Sequence, residues 1–352
     1  MKRVMFVLTL AGLAILASAT NVFALENHKF TETATIEIGD APDVSIETLS
    51  GDIKYTGVEG MSARVTALVE VRADSEEEAQ RIREGLEVRM EGETGLLDLY
   101  LKHDKDYYEW IRDEFGSGRW ISVSFTVEGP RGAAGELTSV SGGVMLRNTT
   151  GGIHVSTVSG DVDVANVRGR MRVATTSGQV TVDGTADFTE AKSVSGDVNV
   201  YNCGSSLFAS SVSGGVYVDG AEGAVEVGSV SGDVRLLRVD GSVTAKTTSG
   251  SIEAENVDGD MALETTSGDI VAATSDPAAR IDAHSMSGTV EIGIPRNAGG
   301  TVRLSTFSGS IESDRDIRVR EKSSRTLWGT IGEGTGEIEV ETFSGDIVLS
   351  VR

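Results

Sequence analysis

A chain of 352 residues can make two ordinary domains or one long repeat array. It has 43 Gly and only 4 Pro, and aromatics make up 5%, which is thin for a thick globular core and suits narrow stacked β-layers. The net charge of -23 disfavours nucleic acid and anionic membrane surfaces as partners.

The first residues, MKRVMFVLTLAGLAILASATNVFA, read as a secretory signal over residues 1–24. Lys2 and Arg3 give the basic start, Val4 to Ala17 the apolar stretch, and Val22-Phe23-Ala24 a small-residue cleavage site. Polar Ser18, Thr20 and Asn21 interrupt the apolar run, and no later segment is apolar enough to span a bilayer. The expectation is an exported protein, periplasmic or at the cell surface, without stable membrane insertion. The one cysteine, Cys203, leaves no partner for an intrachain disulfide.

Residues 25–135 read as an N-terminal β block. SGDI at Ser50 falls in a short β segment, and Ala63 to Arg72 is a strand. SEEEAQRIREGL predicts a helix over about 75–86, with a Ser cap, three Glu in the first turn, and Ala79, Ile82 and Leu86 on one face. Strands follow at Leu96–Lys102 and Ile121–Val127. Between them lies the insertion DKDYYEWIRDEFGSGRW. Seven of the eighteen aromatics fall between Tyr100 and Phe125. Aromatics beside Arg are the composition of binding hot spots, which makes Tyr107, Tyr108, Trp110 and Trp120 candidate contact residues. The competing reading is that they pack the block onto the first repeat, where it caps an otherwise unpaired edge.

Residues 136–276 are strictly periodic. Of the fifteen positions taken every nine residues from Gly142 to Gly268, thirteen are Gly. Before every second one stands Ser: Ser141, Ser159, Ser177, Ser195, Ser213, Ser231, Ser249 and Ser267. The full repeat is therefore 18 residues. From each Gly, plus two and plus four are apolar and plus three is mostly polar, the alternation of a strand with one buried face. Plus seven is small or β-branched in both halves, so the buried phase is expected to shift near plus five or six. A hairpin meander keeps strict alternation. A corner inside every nine residues instead predicts an all-β single-chain solenoid of 18-residue coils, each with two rungs. Residues 277–352 keep the corner at SGTV, SGSI and SGDI, with insertions between, and read as irregular final coils and a cap.

The strands with a helix like SEEEAQRIREGL, the repeated SGDI/SGDV corners and the closing SGDIVLSVR resemble the bacterial family named for adhesins and often called the toast-rack domain. The resemblance covers most of residues 40–352. It implies an exported, non-catalytic, stacked β structure of largely unknown function, and it implies no site residues.

Little chemistry is marked. Asp follows the corner at Asp161, Asp197, Asp233 and Asp269, with Gln179, Gly215 and Ser251 between. Carboxylates thus recur every second coil, about 9.6 Å apart, too wide to share a calcium ion. The four histidines lack metal-ligand spacing, no GxSxG elbow occurs, and GEGTGE at Gly332 is a turn without the strand-to-helix setting of a phosphate loop. No cofactor or metal is expected. One further patch stands out: Asn199, Tyr201, Tyr217, Asp219 and Arg235 occupy outward offsets on successive coils, suited to sugars or a protein, or simply to cross-strand pairing. The expected function is a non-enzymatic adhesin-like, scaffold or envelope-interaction module. Its partner would be an envelope protein or glycan, and self-association is left open. The alternatives are a carbohydrate-active β-helix enzyme and an envelope-stress signalling partner.

Overall fold

The computed structural model describes residues 25–102 and 107–352, with the backbone alone at Tyr107 and Tyr108. The expected signal segment, residues 1–24, and His103 to Asp106 lie outside the described residues. The chain is an all-β solenoid. Among the described residues it has two helices, α1 (Glu76–Glu84) and α2 (Tyr107–Phe115). It divides into one unit ending at Asp163 and a second running from Val164 to Arg352.

In the second unit each coil gives one strand to each of two sheets, and successive coils pair parallel. Val198–Cys203, Val216–Ala221 and Val234–Val239 are neighbours in the first sheet. Thr189–Ser193, Leu207–Ser210 and Val225–Gly228 are neighbours in the second. Register holds residue for residue, Val198 against Val216 against Val234. The apolar offsets face inward: Val198, Val200, Val216, Val218, Val234 and Leu236 are all buried.

The Ser-Gly corner is explained by crowding between coils. A Cβ on Gly214 would lie 2.2 Å from the Gly196 carbonyl oxygen, one on Gly232 2.1 Å from that of Gly214, and one on Gly250 2.2 Å from that of Gly232. No side chain fits there at any backbone angle. The same carbonyls accept from inward hydroxyls of the next coil: Ser211 donates to Gly196 at 2.9 Å, Ser229 to Gly214 at 2.8 Å and Thr247 to Gly232 at 3.1 Å. Each corner is thus closed sterically and by a partly or fully buried hydrogen bond.

The two halves of a coil bend differently, which corrects the expectation of one rule for both. In the first-sheet half, the plus-six residues Asn166, Gly184, Asn202, Gly220, Arg238 and Asn256 adopt left-handed φ values of 52 to 80°. That turn moves the buried phase to plus seven, where Val167, Cys203, Ala221, Val239 and Val257 are buried. The second-sheet half has no left-handed residue at plus six, so alternation runs on. Its plus-six Ser and Thr point in, and its plus-seven Val194, Val212 and Val230 stand 44 to 47% exposed.

In the first unit SGDI at Ser50 is a solenoid corner rather than part of one short β segment. It joins Asp43–Ser50 to Ile53–Val58, and a Cβ on Gly142 would lie 2.0 Å from the Gly51 carbonyl oxygen. This coil lies between Ala134–Ser141 with Val144–Arg147 on one side and Leu96–Lys102 with Trp120–Pro130 on the other. Antiparallel strands extend the outer rung: Ser62–Ala73 and then Glu26–Glu37 in one sheet, Glu87–Glu93 in the other. The α1 cap is as expected, with Ser75 Oγ accepting from the Glu78 N–H at 3.2 Å and Ala79, Ile82 and Leu86 buried.

The second unit closes in a related way. Arg280–Ser287 does not pair with the next strand of its own sheet in chain order, Gly300–Ser308; Gly336–Ser344 sits between them, parallel to both. Thr326–Ile331 and then Arg318–Lys322 follow antiparallel beyond Gly300–Ser308. All five residues of the edge segment RVREK are exposed, and their charges blunt it against pairing with another chain.

Candidate binding face and corner groove

The structure brings one predicted set together on one face, and of the other it describes the contacts of Trp110 and Trp120. On the outer face of the first sheet, Asn199 pairs in register with Tyr217, Tyr201 with Asp219, and Tyr217 with Arg235. The Tyr201 and Tyr217 rings lie 5.6 Å apart at 54°. Tyr217 donates its hydroxyl to Asp219 Oδ2 at 3.4 Å, and Arg238 Nη2 meets Asp219 Oδ1 at 2.6 Å. Desolvation first, then the Asp219 charge, raise the Tyr217 pKa, so the phenol stays a donor. Arg235 points along the ladder to Glu253 at 3.2 Å.

In the first unit, Trp110 is spent on packing. A Cβ on Gly85 would lie 2.4 Å from its ring, so it rests on the end of α1. Its Nε1 donates to Glu114 Oε2 at 2.7 Å, and its ring meets Phe115 edge-on at 5.5 Å. Arg81 of α1 lies over Phe115 at 5.4 Å. Trp120 opens the strand Trp120–Pro130, half-buried and paired to Arg72. Tyr107 and Tyr108 contribute backbone to the first turn of α2.

Beside the tyrosine face runs a groove of about 1090 Å³ that the sequence reading missed. One wall is the left-handed ladder, Asn166 to Asn256; the other lies two residues on, at Arg168, Ala186, Gly204, Glu222, Asp240 and Asp258. Gly184, Ala186, Gly204 and Gly220 make it hollow, and Arg168, Glu222 and Arg238 stand around them. Asn202 Nδ2 fixes Asp183 Oδ1 at 2.7 Å on its rim. The signal was present as Asn or Gly recurring every 18 residues. Arg238 is the exception on that ladder, at φ 54° where the other five are Asn or Gly. A long side chain pays about 1 kcal/mol or more for this conformation. Cys203 lines the groove floor, buried, its thiol donating to the Ser205 carbonyl at 3.4 Å.

The corner aspartates act on the backbone. Asp197 Oδ1 accepts from the Gly215 N–H at 2.8 Å, Asp233 from Ser251 at 2.8 Å and Asp269 from Thr289 at 2.8 Å. Each carboxylate satisfies the amide one coil on, and in a coil without Asp, Ser251 Oγ takes the same role toward Asp269 at 3.3 Å. Asp346 accepts from both the Ser310 N–H and its hydroxyl, and the N–H, then the hydroxyl, hold its pKa below the usual range. Lys192 first, with Arg172, lowers that of Glu190, and Lys246 that of Glu264. A carboxylate depressed in the folded state stabilises above its unfolded pKa, and that stability is lost as pH falls through the lower folded value. Melting temperature is therefore expected to be flat from about pH 7 to 5 and to fall below about pH 4. In Asp346→Asn the fall should be smaller; an unchanged fall in circular-dichroism melts would remove Asp346 from the account.

The chain belongs to the Toastrack DUF4097 family, which matches residues 121–237 and 207–350. No curated protein matches it. It is similar in structure to a Clostridium sporogenes protein named for cell adhesion, at 9% identity and TM-score 0.24, over 93% of this chain and 100% of the other. A Parabacteroides distasonis protein named for lipid binding matches at 13% identity and TM-score 0.32, over 92% and 97%. A Bacteroides fragilis protein named as an adhesin matches at 10% and 0.28, over 92% and 97%.

Proposed function

We propose that the chain is an exported, non-enzymatic, adhesin-like scaffold whose tyrosine face and corner groove hold an envelope glycan or protein segment. Arg238 carries this reading. The ladder it belongs to takes Asn or Gly elsewhere in the second unit, yet here a guanidinium is kept at left-handed φ, against Asp219, whose other oxygen accepts from the Tyr217 hydroxyl. Backbone strain retained at one step of an otherwise relaxed ladder fits a side chain needed for its reach. The groove mixes Asn amides with charges of both signs, which suits a hydroxyl-rich or mixed polar ligand. Beside it Asp219 is engaged by Arg238 and Asp183 by Asn202, while Glu222, Asp240 and Asp258 line the groove itself.

The test uses residues 25–352 on a glycan array and against purified envelope fractions, beside Arg238→Gly and Tyr201→Ala/Tyr217→Ala. Arg238→Gly is expected to raise stability by up to about 1 kcal/mol, as left-handed strain is relieved, while weakening binding at least tenfold. Equal binding by wild type and both variants would move the site elsewhere, and no binding by the wild type would end the adhesin-like reading.

A further inference from the structure

The coil of residues 336–351 is a separable part with a slot of its own. Gly336–Ser344 pairs with Arg280–Ser287 on one side, from Arg280 with Glu337 to Ser287 with Ser344, and with Gly300–Ser308 on the other. Ile347–Val351 likewise lies between Val290–Ile294 and Ile311–Ser313. The slot walls are consecutive coils, so the segment filling the slot comes later in the chain than both. The peptide Pro295–Gly299 spans the skipped rung, about two strand spacings or ~9.6 Å.

The slot recognises the coil through ordinary repeat features. Ile338, Val340, Ile347 and Leu349 are buried in it. Gly345 fits a place where a Cβ would lie 2.0 Å from the Gly288 carbonyl oxygen, and Gly309 meets Gly345 in the same way. Thr306 donates to the Gly345 carbonyl at 3.0 Å, and Asp346 takes the Ser310 amide at 2.7 Å. Phe343 stacks on Phe307 at 4.8 Å and 5°. The only covalent tie to the slot is the run IGEGTG, residues 331–336, whose Gly334 packs on the Gly299 carbonyl.

We propose that this coil is exchangeable, and that the partner the slot accepts is a second copy of this chain, each copy inserting its 336–351 coil into the other. Every pairing just described would be remade unaltered in such a dimer. The choice between closed and exchanged forms then rests on chain concentration and on the hinge run 331–336. This rests on the stacking order alone and is independent of any ligand at the groove.

Two differently tagged full-length chains, refolded together at about 100 µM, are expected to co-purify as dimers that survive hundredfold dilution, and refolding at about 1 µM should give monomers. Thr306 and Thr342 are register partners, about 4.8 Å apart by strand spacing and within disulfide range. Thr306→Cys/Thr342→Cys oxidised after dilute refolding should stay monomeric; oxidised after concentrated refolding it should run as a covalent dimer on a non-reducing gel. Monomers at both concentrations would overturn the proposal, as would dimers formed by the pre-oxidised chain. Should the cysteine pair fail to fold, hydrogen exchange on the unaltered chain decides. Amides 337–351 are expected to open as a block at least tenfold faster than 281–287, and equal protection would overturn exchange.

Discussion

Gly232→Ala is expected to lose about 3 kcal/mol of stability, or to prevent folding of the coils around it. Its added methyl would lie 2.1 Å from the Gly214 carbonyl oxygen and 2.5 Å from the carbonyl carbon, both backbone atoms of a coil that cannot withdraw. Retreat would also break the bond from Ser229 to that carbonyl. Gly228→Ala is the control. Its Cβ would meet nothing nearer than the Lys246 carbonyl at 3.4 Å, so the change should stay within about 0.5 kcal/mol of neutral. Urea unfolding of both separates them. Equal cost at the two positions would mean that glycine is retained for backbone freedom in general rather than for the clearance between corners.

Val239→Ala and Val230→Ala form a second pair, the same substitution at the same offset in the two halves of a coil. Val239 is buried completely behind the left-handed turn at Arg238, whereas Val230 is 47% exposed where no such turn intervenes. The first should lose about 2 kcal/mol, from two methyls and the space they leave, and the second less than about 0.5. Matching losses in thermal melts would restore a single inward rule for both halves and contradict the exposure pattern.

Much of this fold was legible because the repeat forces each local signal to recur. Glycine at the corner, apolar residues at plus two and plus four, and Ser75 before an acidic first turn all have local causes that act within a few residues. The unread parts depend on partners distant in sequence. Val194, Val212 and Val230 have the composition of core residues, and only the alternation carried on past the end of the preceding strand turns them out. The Asn and Gly at plus six were visible but were not connected with the bend they make. No local signal distinguishes stacking in chain order from the insertion of residues 336–351 between two earlier coils, because all three carry the same corner. At the candidate site, the tyrosine patch followed from offsets on neighbouring coils. The groove did not, because it is made by side chains that are missing.

The corner also determines how such a chain can change length over generations. From Gly196 to Gly268 each corner touches the one before it at nearly the same distance, and no contact closes the series into a fixed number. Gain or loss of whole repeats by unequal recombination would leave both capped ends intact and alter only how many rungs the outer faces present. Charge sets a preferred step. Asp197, Asp233 and Asp269 alternate with uncharged corners, so removing one coil with an uncharged corner brings two carboxylates onto adjacent coils and removing one with Asp leaves two uncharged corners together, while removing 36 residues preserves the alternation. Lineages of this chain should therefore differ in length by pairs of coils more often than by single ones.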